Sequence, residues 1–280
     1  MTALTRHEGV LAGGGRWSVF DQGAQLASWA PGSDPVLLLS SRTATEPGRP
    51  VRGGIPLCFP WFGPGRGERR QPAHGFARVA PWRLGLLEQD HHGARLVYEL
   101  EEGDVRELPG AEHFTAPFRA TCSIEVGSTA SVTLTVRNTG TEPFDYEAAL
   151  HSYLYVGDVA RVRVRGLDGC TWWDKLDERT YRQEGDLVLQ GETDRVYHHD
   201  GTVQVEDPAL DRILVIDKEG SADTVVWTPG PAKAAEIPDL GPGEWEHLLC
   251  VEAANVLDHA VTLGPGEERA LSTTITTRSR

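Results

Sequence analysis

An all-β sandwich is the fold class this sequence predicts, on three observations. Short apolar or alternating runs recur along the whole chain, bounded by Gly, Pro, Asp and Asn. One of them, residues 131–136, alternates cleanly, with Val132, Leu134 and Val136 on one face and Ser131, Thr133 and Thr135 on the other. No segment keeps the helical period of about 3.6 residues over three turns, so helices are expected to be few and short.

In chain order, β-branched and aromatic content predicts strands at 17–21, 25–30 and 35–40, then at 82–87 and 94–101 after a long Gly/Pro-rich gap. Alternation predicts 118–126 and 130–138, and 161–165 alternates Arg with Val. Residues 144–156 read as one long strand, and shorter apolar runs follow at 186–190, 203–206, 212–217, 224–228, 247–253, 260–263 and 269–277. The turn-forming residues are spread evenly, with no internal repeat or linker. One domain over 1–280 is therefore expected.

The net charge of −14 argues against nucleic acid or an anionic membrane as the main partner. The four cysteines (58, 122, 170 and 250) form no C-x-x-C pair; Cys122 and Cys250 sit in apolar runs and read as core. The N-terminal residues show no apolar leader, and no apolar run approaches the roughly 18 residues a membrane span needs. A cytoplasmic protein with reduced thiols is expected.

Residues 51–83 break the pattern. They combine a Gly-Gly turn, three aromatics in four residues (Phe59, Trp61, Phe62), a Gly/Pro/Arg loop and then His-Gly-Phe-Ala-Arg. Between Ser41 and Gly85, eight Arg face only Glu46 and Glu68, which suggests a local anion site. Arg66, Arg69 and Arg70 read more simply as a solvated loop. Arg52 and Arg78 are candidate forks for an anion, and Gly75 lets backbone approach something beside His74. Trp61 is a candidate wall for a sugar ring, while Phe59 and Phe62 read as core.

Two more positions carry chemistry. His151 shares the odd-numbered face of 144–156 with Asp145, Glu147, Tyr153 and Tyr155, while the even positions pack. Glu252 is flanked by Leu249 and Val251 on one side and Leu248 and Cys250 on the other. A carboxylate there is costly unless paired or used, and burial would raise its pKa toward neutrality. P-loop, dinucleotide and G-x-S-x-G signatures are absent. His74, His151 and Glu252 would make a His₂Glu set, but no H-x-H or H-E-x-x-H spacing supports a metal. His198-His199-Asp200 offers metal-binding groups, but between Tyr197 and Gly201 it reads as a turn. No metal or organic cofactor is expected.

VRGGIPLCFPWFGP from residue 51, PAHGFAR from 72, LHSYLYVGD from 150, GETDRVY from 191 and LCVEAANV from 249 occur in that order. Together they resemble the hexose-6-phosphate mutarotases, the glucose-6-phosphate 1-epimerase branch of the aldose 1-epimerase superfamily. The resemblance implies a galactose-mutarotase-like β-supersandwich with the sugar held in a groove on one sheet. It also implies His151 as general acid, Glu252 as general base, and Arg52, His74, Arg78 and Asp174 as substrate contacts. The chain departs at Ala73, where some members carry Gln, and at Thr228, where the usual residue is Asn.

The expected activity is interconversion of the α and β anomers of a hexose 6-phosphate, with the phosphate accounting for arginines in an acidic protein. A monomer with a small-molecule substrate is expected. The alternatives are an epimerase for unphosphorylated aldoses and a non-catalytic carbohydrate-binding protein.

Overall fold

The computed structural model describes residues 3–67 and 69–280. Two large antiparallel sheets and two smaller ones account for its architecture; among the described residues the α-helices are short, Glu102–Val105 and Gly230–Ala235. The nine-stranded sheet runs Leu187–Val188, Arg163–Arg165, Val203–Asp207, Arg212–Glu219, Glu268–Ser279, Thr129–Asn138, Phe118–Val126, Ala94–Glu101, Arg83–Gln89. The eight-stranded sheet runs Arg179–Arg182, Thr171–Asp174, Thr193–His198, Asp223–Thr228, Leu248–Asn255, Ala148–Leu150, Leu57–Cys58, with Tyr153–Tyr155 also paired to Leu248–Asn255. Arg6–Val10, Arg16–Phe20 and Gln25–Ala30 form a meander of their own, and Val261–Leu263 pairs with Phe144–Tyr146.

Alternation decides what each sheet buries. Val132, Leu134 and Val136 of Thr129–Asn138 join Leu96, Tyr98 and Leu100 of Ala94–Glu101, two strands away across Phe118–Val126, in the main core. Leu249, Val251 and Ala253 meet them from the eight-stranded sheet, so the core lies between the two large sheets.

Leu248–Asn255 is buried along its full length. Its other face, with Leu248, Cys250 and Ala254, belongs to two smaller apolar clusters. One holds Cys58, Phe62, Val196 and Val225; the other holds Leu38, Tyr153 and Leu240. Segments 51–76 and 230–247 contribute Phe62 and Leu240 to this cover, and the gap they leave over the sheet is where polar side chains collect.

The expected strand at 144–156 is three short ones, Phe144–Tyr146, Ala148–Leu150 and Tyr153–Tyr155. His151 and Ser152 lie in a break, with the His151 N–H donating to Pro56 O (3.0 Å). Residues 35–40 make isolated bridges, Leu37 to Leu154 and Leu39 to Gly53, rather than the expected strand. Cys58, Cys122, Cys170 and Cys250 are free thiols.

Candidate active site

Glu252 shares its strand face with Leu248 and Cys250, so it points away from the main core and into the gap between the loops. Its carboxylate is 1 % exposed, and Oε1 lies 3.4 Å from His151 Nε2. The two side chains arrive from different elements: His151 from the break beside Ala148–Leu150, Glu252 from the middle of the strand that pairs with it. Around them is a cleft of about 270 Å³ lined also by Arg52, Phe62, Ala73, His74, Arg78, Tyr153, Lys175, Asp194 and Trp227.

The stretch 51–83 forms one side of this cleft, and its glycines explain how. Gly54 has φ 65° and a Cβ there would lie 2.1 Å from Leu26 O; Gly75 has φ 75° and a Cβ there would lie 2.1 Å from Phe59 O. Only glycine allows such contact with packed backbone. The turn at Gly75 sets His74 in the cleft, its ring edge-on to Phe62 (4.9 Å) and 5.7 Å from the His151 ring. His74 Nδ1 accepts from the Gly63 N–H (3.3 Å), so its neutral tautomer carries Nε2–H as a donor.

Arg52 is clamped, donating Nε to Asp239 (3.2 Å) and NH1 to the Tyr153 hydroxyl (2.9 Å). Arg78 donates NH2 to Ala73 O (2.6 Å), while its buried Nε has no protein partner among the described residues. Lys175 Nζ lies 3.0 Å from Asp194 Oδ2 and 4.9 Å from the Phe62 ring centroid. The cleft thus holds three cations.

Burial and these cations set the protonation of the pair. Burial holds the Glu252 carboxyl well above the usual range; Lys175 opposes that shift and Asp194 adds to it. Burial, then Arg78, Arg52 and Lys175, hold His151 well below its ordinary value. The same causes keep His74 neutral, and burial pushes the Tyr153 phenol up to about 12. For the His151–Glu252 pair both shifts favour the uncharged forms, a neutral imidazole and a protonated carboxyl, over an ion pair. His151 Nδ1 and Glu252 Oε2 are buried with no protein partner among the described residues. A donor and an acceptor next to each other suit acid–base chemistry on a ligand that spans them.

Residues 11–276 match the family described as aldose 1-epimerase. The chain belongs to the aldose 1-epimerase family. It is 36 % identical over 241 residues to an Escherichia coli K12 protein provisionally named a glucose-6-phosphate 1-epimerase, covering 83 % of this chain and 77 % of the relative. The crystal structure of a Salmonella typhimurium protein provisionally described as a mutarotase is 30 % identical, with TM-score 0.87 over 99 % of this chain and 94 % of that one. A galactose mutarotase-like protein of Clostridium acetobutylicum, 14 % identical, shares the fold at TM-score 0.74 over 99 % of each chain. The fold expected from the strand pattern is thus the one observed.

Of the residues singled out in the sequence, this aldose 1-epimerase chain brings Arg52, His74, Arg78, His151 and Glu252 to one cleft. Asp174 is not among the cleft residues. It shares strand parity with Trp172, whose ring belongs to the main core. Its carboxylate accepts from Leu176 N (2.8 Å) and faces Arg195 (4.0 Å), whose guanidinium lies 3.9 Å from the Trp172 ring centroid.

Besides Glu252, the carboxylate lining the cleft is Asp194, one strand over. The aromatic assignment also shifts: Trp61 is 1 % exposed in the core, donating Nε1 to Pro72 O (2.9 Å), while Phe62 walls the cleft. Lys175, Asp194 and Trp227 are cleft residues that sequence reasoning missed. The only sequence signal for Asp194 is its place within the GETDRVY segment.

Proposed function

We propose that this protein interconverts the α and β anomers of a hexose 6-phosphate, glucose 6-phosphate foremost, with His151 and Glu252 as the acid–base pair. The observation that carries this reading is a buried His151–Glu252 pair, 3.4 Å apart, beside three cations in one sugar-sized cleft. Ring opening needs a base at the C1 hydroxyl and an acid at the ring oxygen. After rotation about C1–C2 the same two groups, with roles reversed, close the other anomer.

In this reading His151 acts as general acid and Glu252 as general base. Burial first, then Arg78, Arg52 and Lys175, depresses His151, and a phosphate dianion beside those cations offsets their part of that shift. Arg52, Arg78, Lys175 and the Nε2–H of His74 hold the substrate, and Asp194 and Tyr153 orient sugar hydroxyls. The E. coli relative's name supports the phosphorylated substrate.

The reading carries with it one 280-residue domain acting as a cytoplasmic monomer. Among the described residues no helix is long and apolar enough to cross a membrane. An epimerase for free aldoses would be indifferent to the three cations, and a binding protein would not need the His151–Glu252 pair.

Anomer exchange followed by NMR tests this reading. The protein should exchange glucose 6-phosphate anomers well above the buffer rate and glucose much more slowly. His151→Ala and Glu252→Gln should each lower the rate by about 10²-fold or more with the circular dichroism spectrum unchanged. A rate on glucose 6-phosphate no higher than in buffer sinks the proposal.

A further inference from the structure

On the same outer face of the eight-stranded sheet, at its other end, His198, Asp223 and His259 converge with one donor atom from each within 4.8 Å of the others. Asp194 and His198 share strand parity, so this cluster is about 13 Å along the strand from the cleft. It takes no part in the acid–base chemistry. We propose that it is a transition-metal site of the zinc class.

The three residues come from three elements, as a built site requires. His198 ends Thr193–His198, and Asp223 is its cross-strand partner at the start of Asp223–Thr228. His259 closes the short 3₁₀ turn Leu257–His259. Asp223 is the anchor: its side chain is 1 % exposed, and Oδ2 accepts from the Val256 N–H (3.2 Å). That leaves Oδ1 facing both imidazoles, with His259 Nδ1 at 2.7 Å and His198 Nδ1 at 3.3 Å.

The rings are edge-to-face, 5.0 Å between centroids, and both are partly exposed on an open groove of about 480 Å³. Adjacent donors bound to one zinc-sized ion at about 2.0–2.1 Å lie roughly 3.0–3.4 Å apart, close to these separations. Both contacts are at hydrogen-bond distance, and a metal would replace the hydrogens that such bonds require. Two imidazoles and one carboxylate favour Zn²⁺, Co²⁺, Ni²⁺ or Cu²⁺ over the all-oxygen cations Mg²⁺ and Ca²⁺. Water would complete the shell from the solvent side. The ion would pin the 257–259 turn to the sheet, a structural rather than catalytic role.

The test uses the full chain, stripped with chelator and titrated with Zn²⁺ by calorimetry and with Co²⁺ by visible absorption. Expected are one-to-one uptake, a Co²⁺ band, and a rise in melting temperature of about 5 °C at metal a hundredfold above Kd. The double variant His198→Gln/His259→Gln, altered only at partly exposed rings, should lose all three while keeping its anomer-exchange rate. The control variant His91→Gln/His92→Gln removes an exposed histidine pair on another turn, ring centroids 3.9 Å apart, and should keep all three. Absence of saturable uptake overturns the proposal. So does uptake that survives the first double variant or disappears in the control.

Discussion

The chemistry at Glu252 opposes the stability of the fold. Its carboxyl is 1 % exposed and its pKa is raised by burial, so ionisation is easier in the unfolded chain. The sign follows from proton binding. Above the unfolded value near 4.3 the unfolded state releases its proton while the folded state keeps it. Stability from this group is therefore fully present only below about pH 4 and falls by up to about 1.4 kcal/mol per pH unit until the folded carboxyl ionises. Glu252→Gln keeps the shape and removes the ionisation. Its unfolding midpoint in denaturant should exceed that of the parent at pH 8 and approach it at pH 5. Equal offsets at both pH values would show that the buried carboxyl is not the cause. The same variant loses anomer exchange, so the site trades stability for reactivity.

At the scale of elements, the loop from 51 to 83 positions chemistry without performing it. Gly75 packs as closely, against Phe59 O, as Gly54 does against Leu26 O, and His74 before it also has positive φ, 68°. Gly75→Ala adds both steric overlap and left-handed strain, a cost of about 3 kcal/mol in the denaturation midpoint. It should also depress exchange beyond that loss, because His74 and Arg78 move with the turn. Gly67→Ala in the same loop has φ 66° but open space around the new Cβ, and should cost only about 1 kcal/mol with activity kept. Parallel losses in both variants would show that strain alone matters.

Which elements were legible in the sequence follows the same physics. Residues 94–101 and 118–126 are strands with the expected bounds, because one face of each is apolar and the other polar. His151 and Glu252 stood out because each interrupts such a pattern. Thr193–His198 and Thr171–Asp174 were not expected as strands; their polar and aromatic residues give no alternation. Without those strands there is no parity to place Lys175 and Asp194, while Asp174 rested on the resemblance alone and lies outside the cleft lining. Gly201 makes His198-His199-Asp200 read as a turn, whereas His198 ends the strand Thr193–His198.

For the whole molecule the question is which charges a diffusing sugar phosphate feels. Four of the eight arginines that make 41–85 basic are paired with carboxylates or partly buried, which weakens the field they project. Arg66 lies 3.3 Å from Asp145, and Arg83 is surrounded by Glu99, Glu101 and Asp104. Arg52 and Arg78 are partly buried in the cleft, and Arg52 is paired with Asp239. The distant field is therefore that of the net charge, −14, and it repels a dianion. Attraction begins only inside the cleft, over separations shorter than the screening length.

Salt tells the two apart. The Debye length falls from about 30 Å at 0.01 M to about 8 Å at 0.15 M, which removes the outer repulsion but leaves partly buried contacts largely intact. Between those ionic strengths kcat/KM for glucose 6-phosphate should hold or rise, and kcat/KM for glucose should stay flat. Added inorganic phosphate, by contrast, should compete for the cleft and raise KM for glucose 6-phosphate at constant ionic strength. A steep fall in kcat/KM with sodium chloride would mean that the cleft cations steer substrate from a distance, and the assignment of the field to the acidic surface would fail.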